Sequence, residues 1–316
     1  MLRVLILAGG ISPERDVSLK SGRRLSDHLS EAGVENEIRE PDELLIDYLA
    51  TTKPDLVWSV LHGAGGEDGS IQRLLEMLGV AYVGANSENA KSVWNKATAK
   101  TLVQNQNIQT PAWIALPKNT FKQLNAKSVL DVVSKNIGFP LITKPIEGGS
   151  AQGVNKSETA KELGKSMVEA YAYCDEVLIE KFIGGTELAI TVADFGKGLE
   201  ALPAVEIIAD SGKFGYEERY IPGETTFYAP ARLDPRISQK ASETALKAHE
   251  ILGLGVFGRI DLVIDQNNQP WFLEASVIPG LTETSLAPQA FTAAGWTLGD
   301  AYKAIAESAI SHQSRR

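Results

Sequence analysis

The sequence predicts an α/β protein divided into two or three domains. A strand-like run, Leu2 to Ala8, is closed by Gly9-Gly10 and followed by a helical pattern. Asp55 to Leu61 and Val80 to Gly84 bracket an amphipathic stretch in the order strand–helix–strand, the signature of a βαβ unit. The chain has 316 residues, more than one hydrophobic core ordinarily serves.

In chain order, residues 2–8 read as a buried strand, and the polar loop Ile11 to Asp16 opens a helix with Val17, Ser21, Leu25 and Leu29 on one face, stopped by Gly33. Strand, glycine turn and helix N-terminus together form a common approach to phosphates or carboxylates. Glu14 in that loop reads equally as a helix-entry acid. The strand Asp55 to Leu61 ends at His62, where open α/β sheets place ligands, although a structural role suits that position as well. Ile71, Leu74, Leu75 and Leu78 then mark the helix, and Val80 to Gly84 the returning strand. The glycine loop after His62 fails G-x-G-x-x-G because Asp68 stands at the last glycine position, and G-x-x-x-x-G-K-[ST] is absent from the chain. Rossmann and P-loop nucleotide binding therefore lose support.

A polar helix bearing Lys91, Lys96 and Lys100 marks the first domain boundary. Strands at Thr110 to Leu116 and Phe139 to Pro145 flank a helix. Lys144 in the second of them either snorkels at a sheet edge or reaches an anion. Glu147 to Gly153 is a glycine loop suited to closing over phosphates with inward backbone N–H groups, or a plain hairpin turn. Thr159-x-x-Glu162 resembles a capping box ahead of a helix and the strand Glu176 to Phe182, which Gly184-Gly185 ends. Further strands, a long polar connection around Pro222-Gly223 and a helix through Ala248 lead to the hairpin Gly258 to Ser276.

That hairpin carries the strongest local signal. A symmetric loop of about four residues pairs Asp265 with Pro270, Asp261 with Glu274 and Arg259 with Ser276. Opposed residues sit roughly 5 Å apart at Cβ on one face, and like charges there are destabilising. The pair is explained either by a hard cation such as Mg²⁺, bound with substrate phosphates, or by a solvated face on which Arg259 neutralises both acids. The Pro279-Gly280 turn and the hydroxyl-rich loop to Ser285 lie beside it, suited to an anion or carboxylate.

Composition excludes other classes. Apolar (43%) and charged (22%) fractions are those of a soluble globular protein, and a net charge of −9 without a basic block argues against nucleic acid or an anionic membrane as partner. One cysteine, Cys174, rules out an internal disulfide and a multi-cysteine metal site. The first strand is too short for a membrane span and lacks signal-peptide features, so a cytoplasmic enzyme is expected.

Taken together, AGGISPERDVSLKSG, LHGAGGEDGSIQRLLE, NKATAK, LITKPIEGGSAQGV, VLIEKFIGGTELAI, ALPAVEI, YEERY, GRIDLVID and LEASVIPGLTETSLAP occur in an order and spacing that resemble the ATP-grasp ligases. Within them the chain is similar, nearly end to end, to the D-alanine–D-alanine ligases of peptidoglycan synthesis. The resemblance implies a three-domain ATP-grasp fold: an N-terminal parallel βαβ domain over 1–95 that binds substrate, a central domain over 96–183 and a C-terminal catalytic domain over 184–316, the last two α+β units clamping ATP. It implies that Lys96 and Lys144 reach the ATP phosphates under the Ser150 loop. Glu180, Lys181 and Ile183 would meet adenine and Glu187 the ribose. Asp261, Glu274 and Ser276 would hold one or two Mg²⁺ ions, with Mn²⁺ as a substitute. Glu14, Ser150 and Tyr220 would form a hydrogen-bonded trio around the ammonium of the first D-amino acid, with His62, Ser285 and Leu286 contacting substrate. Arg259 and the Gly280 backbone would stabilise the oxyanion. The implied reaction moves the γ-phosphoryl of ATP onto one D-alanine, and the resulting acyl phosphate is attacked by the amine of the second. A homodimer is implied as well.

Three stretches depart from the family's usual pattern. Glu-x-Asn becomes Glu274-Ala275-Ser276, Ser-Ser-Val-Gly becomes Ser150-Ala151-Gln152-Gly153, and Tyr-Asp-Tyr-Glu-Ala-Lys-Tyr becomes Phe214-Gly-Tyr-Glu-Glu-Arg-Tyr220. These departures motivate two alternatives to D-alanyl-D-alanine synthesis: a ligase of the same mechanism using another amino acid or hydroxy acid pair, and a weakened ATP-binding regulatory paralogue. Lys96, Lys144, Arg259, Asp261 and Glu274 weigh against the second, and Tyr220 against a hydroxy-acid nucleophile.

Overall fold

The computed structural model describes residues 2–149, 151–209 and 225–313. Strands β1 (Arg3–Leu7), β2 (Glu35–Arg39) and β3 (Leu56–Ser59) form a parallel sheet in the order β2-β1-β3. Helices α1 (Arg15–Glu31), α2 (Leu45–Thr52) and α3 (Ser70–Met77) connect them and follow the last. Two expectations change here. Val80 to Gly84 contributes only an isolated bridge, Val57 to Tyr82, because positive-φ Gly79 and Gly84 confine the segment to hydrogen bonds around Val57. In α3, Ile71 and Leu75 are buried, whereas Leu74 and Leu78 beyond its end face solvent, so half of the expected apolar stripe is outside the core.

After α4 (Ser87–Trp94) and α5 (Lys96–Gln104), a second sheet runs antiparallel in the order β4-β7-β5-β6. Its strands are β4 (Trp113–Pro117), β5 (Leu141–Pro145), β6 (Asn155–Ser157) and β7 (Glu176–Lys181). Helices α6 (Lys118–Gln123), α7 (Ala126–Ile137) and α8 (Ala160–Ala170) accompany it. Thr159 caps α8 by accepting from the Glu162 N–H, while the Glu162 carboxylate reaches back to the Glu158 N–H, a capping box displaced by one residue.

The third sheet holds β11 (Thr225–Tyr228), β10 (Val205–Ala209), β8 (Gly185–Asp194), β12 (Phe257–Asp265) and β13 (Pro270–Ser276) in that order, with β9 (Leu199–Ala201) on β8. Helix α9 (Pro235–Leu252) starts with Asp234 accepting from the Arg236 N–H and Pro235 in its first turn, and stops at left-handed Gly253. Helices α10 (Leu286–Ala293) and α11 (Leu298–Gln313) then return to the N-terminal sheet, so that Trp58, Phe257, Phe291 and Tyr302 share one core. Trp58 and Tyr302 meet edge to face at 5.7 Å, which orients the first sheet against the C-terminal helices. Ala99 and Val103 of α5 join the core of the third sheet with Leu188, Ile190 and Phe272. Among the described residues no helix is long and apolar enough to cross a membrane.

Near the end of α9, His249 is 1% exposed and donates from Nε2 to the Gly255 carbonyl at 2.8 Å. Burial pushes its pKa down to about 4. The unfolded chain therefore takes up a proton between the ordinary histidine value and pH 4 that the native state refuses, and native stability falls as pH falls through that window. His249→Gln should shrink the stability lost between pH 7 and pH 4.5 by about 2 kcal/mol, read from urea unfolding at both values. An unchanged loss would contradict a neutral buried imidazole.

Candidate active site

The β12–β13 hairpin pairs Asp261 with Glu274 and Arg259 with Ser276, but pairs Ile264 rather than Asp265 with Pro270. Two irregularities produce this. Asp265 N–H bonds to the Gln269 carbonyl and Asn268, at φ 60, donates back to the Asp265 carbonyl, which shortens the loop by one residue. A bulge between Asp261 and Leu262 on the β12 side, with Leu273 as the extra residue of β13, then restores the register. The shorter loop and the bulge cancel at the carboxylates. Ile260 and Leu262 face the core, while Arg259 and Asp261 share the opposite face. There the guanidinium grips Asp261 through two of its nitrogens, Nε to Oδ1 at 2.7 Å and Nη2 to Oδ2 at 2.8 Å. Each carboxylate oxygen keeps a further lone pair for a cation.

Facing this hairpin, Lys144 lies in an inner strand, between β7 and β6, and is 5% exposed, so it does not snorkel at a sheet edge. Its ammonium is 2.7 Å from Glu180 Oε1 and 4.0 Å from Glu274 Oε2. The other Glu180 oxygen is 2.7 Å from the ammonium of Lys100, a residue with no exposed surface. Lys100 also donates to Thr110 Oγ1 at 2.7 Å, and Thr110 donates to the Phe272 carbonyl at 2.9 Å. Burial pushes Lys100 down to about 8, with Glu180 opposing. Burial alone would raise Glu180, but Lys100 and Lys144 hold it below the ordinary carboxylate range.

On the N-terminal side, Glu14 is buried just ahead of α1, and His62 follows β3. His62 Nε2 lies 3.3 Å from Ser21 Oγ, which already accepts the Leu281 N–H. Burial, aided by Arg259, pushes His62 down to about 4, so the ring is neutral. Glu67 accepts from the Gly63 N–H at 3.0 Å, and burial followed by the charge of Glu14 pushes it up to about 8. Gly63, at φ 82, stands where a Cβ would meet Glu14 Oε2 at 2.7 Å, so the approach of loop to carboxylate requires glycine.

These groups converge on two adjoining cavities. The larger, ≈ 920 Å³, opens between the second and third sheets and is lined by Lys144, Glu180, Lys181, Ile183, Glu187 and Asp261. The smaller, ≈ 110 Å³, is lined by His62, Glu67, Arg259, Ser276, Gly280, Ser285 and Leu286. Glu14, Lys96 and Glu274 border both. Lys96 donates to the Gly148 carbonyl at 2.5 Å, which ties α5 to the glycine loop. Ser285 Oγ accepts the Thr282 N–H at 3.0 Å and leaves no room for a Cβ at Gly280. Ser150 and Tyr220 lie outside the described residues. Among the described residues no three histidine, cysteine or acidic side chains gather around one point. A metal here would rest on Asp261 and Glu274 with a ligand's own oxygens, a donor set that suits a hard divalent cation.

Residues 34–85 match the family model described as D-ala D-ala ligase N-terminus, and residues 102–307 the model described as D-ala D-ala ligase C-terminus. The D-alanine–D-alanine ligase of Bordetella petrii is 36% identical over 307 residues, covering 97% of this chain and 92% of that protein. The chain belongs to the D-alanine–D-alanine ligase family. That of Nitrosospira multiformis is 36% identical over 293 residues, 93% of this chain and 92% of its own. Among solved structures, the crystal structure of D-alanine–D-alanine ligase from Bacillus anthracis superposes with a TM-score of 0.85 at 28% identity, covering 100% and 99% of the two chains. The Bacillus anthracis enzyme complexed with ATP does so at 0.80, 26% identity and the same coverage. The three-sheet α/β architecture is thus the ATP-grasp architecture of this family of ATP-dependent ligases.

Within the D-alanine–D-alanine ligase frame, sequence reading missed Ser21, Glu67, Lys100 and Thr110. Glu67 stands in the quoted loop after His62 and looks like any surface acid of a glycine turn. Lys100 shares the buried face of α5 with Ala99 and Val103, which is the one signal that sets it apart from Lys91 and Lys96. The Arg259–Asp261 pair yields a stability prediction. Arg259→Met should cost about 2–3 kcal/mol by stranding a largely buried carboxylate, and adding Asp261→Leu should recover at least half of that. Denaturant titration of the two variants measures both, and additive losses would contradict the pairing.

Proposed function

We propose that this chain condenses two D-alanines to D-alanyl-D-alanine at the expense of ATP, in the cytoplasm, as a step of peptidoglycan precursor synthesis. The observation that carries the reading is the convergence of Lys96, Lys144, Asp261 and Glu274 on one cleft between two antiparallel sheets, with buried Glu14 at its inner end. Family membership supplies the reaction class. The chain is divided at 95/96 and 183/184 into substrate, central and catalytic domains. The three separate sheets support this division, and α5 begins at the first limit and crosses to the C-terminal core. We read the assembly as a homodimer on the family resemblance.

Each side chain then has a task. Ile183 and the backbone of Glu180 and Lys181 border the adenine end, and Glu187 the ribose. Lys96 and Lys144 face the phosphates, Lys96 beside the glycine loop that follows the strand of Lys144. Glu14 receives the ammonium of the first D-alanine, with Ser150 and Tyr220 completing its surroundings. One carboxylate oxygen of that D-alanine attacks the γ-phosphorus, the bond to the bridging oxygen breaks and ADP departs. The neutral amine of the second D-alanine, its carboxylate held by Ser285 and the Leu286 N–H, attacks the acyl carbon, and the proton it sheds leaves with the phosphate. Arg259 and the Gly280 backbone stabilise the oxyanion until the bond to phosphate breaks. Neutral His62 orients substrate without competing for protons. Mg²⁺ bound by Asp261 and Glu274, with Ser276 on the same face, would neutralise the phosphoryl oxygens during transfer.

Phosphate release with ATP, Mg²⁺ and a panel of D- and L-amino acids, with products read by mass spectrometry, tests the reading. Release with D-alanine alone and a D-alanyl-D-alanine mass is expected, and release only with another pair would overturn the substrate assignment. Glu274→Gln should lower kcat by at least about 100-fold with the fold intact. Ser276→Asn should hold or raise activity where two ions bind, and its complete loss would count against that site.

A further inference from the structure

We propose that Lys100 is a positioning residue for the nucleotide, acting through Glu180 on Lys144. This rests on the reading of the larger cavity as a nucleotide cleft. Lys100 lines neither cavity, yet its fully buried ammonium ends a chain of alternating charges that reaches the cleft. It lies 2.7 Å from Glu180 Oε2, Glu180 Oε1 lies 2.7 Å from Lys144, and Lys144 lies 4.0 Å from Glu274. One carboxylate is thus divided between two ammoniums, and Lys144 enters the cleft only partly neutralised.

The same ammonium fixes the opposite wall. It donates to Thr110 Oγ1, and Thr110 donates to the Phe272 carbonyl, while the Phe272 N–H bonds to the Gln109 carbonyl at 2.8 Å. Both polar groups of the residue that precedes the Leu273 bulge are therefore held from residues 109–110. Lys100 connects β7 of the second sheet to β13 of the third at the point where the bulge sets the register of Glu274. A lysine carried only for packing would not be placed on both. Removing a buried cation from such a pair is costly only when its partner charge is left behind, so the partner charge supplies the test.

Four proteins are compared by titration with a non-hydrolysable ATP analogue and Mg²⁺: wild type, Lys100→Met, Glu180→Gln and the double variant. With Lys100→Met, Glu180 claims Lys144 alone, and the dissociation constant should rise about tenfold or more. The double variant restores the net charge of the cluster and should recover most of that loss, a rescue that packing alone does not produce. Should Lys100→Met fail to fold, the other edge of the cycle decides. Glu180→Gln and the double variant should then agree within about threefold, because Lys100 acts through Glu180. A Lys100→Met protein that binds like wild type, or a double variant no better than Lys100→Met, overturns the proposal. A wild-type protein that binds no analogue overturns the nucleotide cleft itself.

Discussion

Two carboxylates held directly opposite one another, Asp261 and Glu274, set the electrostatic problem that the surrounding structure answers. Like charges paired across a ladder repel, and the low-dielectric walls of a cleft strengthen the repulsion. The protein places a cation on each side: Arg259 takes both oxygens of Asp261, and Lys144 approaches Glu274 from the other sheet. Glu180 and Lys100 continue the alternation into the interior, where neither would be tolerated alone. Arranged in this way, the carboxylates are balanced by cations of the protein itself, and the cleft is still lined by oxygen donors and ammoniums.

The three sheets make that arrangement possible. The second brings Lys144 and Glu180, the third brings the hairpin, and α5 supplies Lys96 at its mouth and Lys100 within, one helical turn apart. The first sheet is fixed to the third through Trp58 and Phe257, so that Glu14 and His62 border the same space as Arg259 and Glu274. Shared packing converts residues separated by 260 positions, such as Ser21 and Leu281, into neighbours. The neutral imidazole and the raised Glu67 carboxyl follow from the same enclosure.

Much of this is legible in the sequence, for identifiable reasons. The alternation of apolar and charged residues in GRIDLVID puts Arg259 and Asp261 on one face, because a period of two leaves each strand one choice of face. The loop length is not legible: a turn shorter by one residue and a compensating bulge yield the same pairing at the carboxylates and a different one at Pro270. Strand β2, Glu-Asn-Glu-Ile-Arg, has no apolar periodicity because it is a charged sheet edge. Lys100 escapes notice for the opposite reason, since a lysine among surface lysines announces solvent and its burial depends on Glu180, eighty residues away. The NKATAK motif carries both lysines, and nothing in it distinguishes Lys96, which borders the cleft, from Lys100, which is buried beside Glu180.

The most direct test of the central claim is water-proton relaxation with Mn²⁺ and a non-hydrolysable ATP analogue, comparing wild type with Glu274→Gln. If the opposed carboxylates exist to hold a cation on the nucleotide, wild type should give a strong protein-dependent enhancement and the variant should need about tenfold more Mn²⁺ to approach it. Equal enhancement in both proteins would mean that the Asp261–Glu274 pair is a solvated face neutralised by Arg259, and that the cation is held elsewhere.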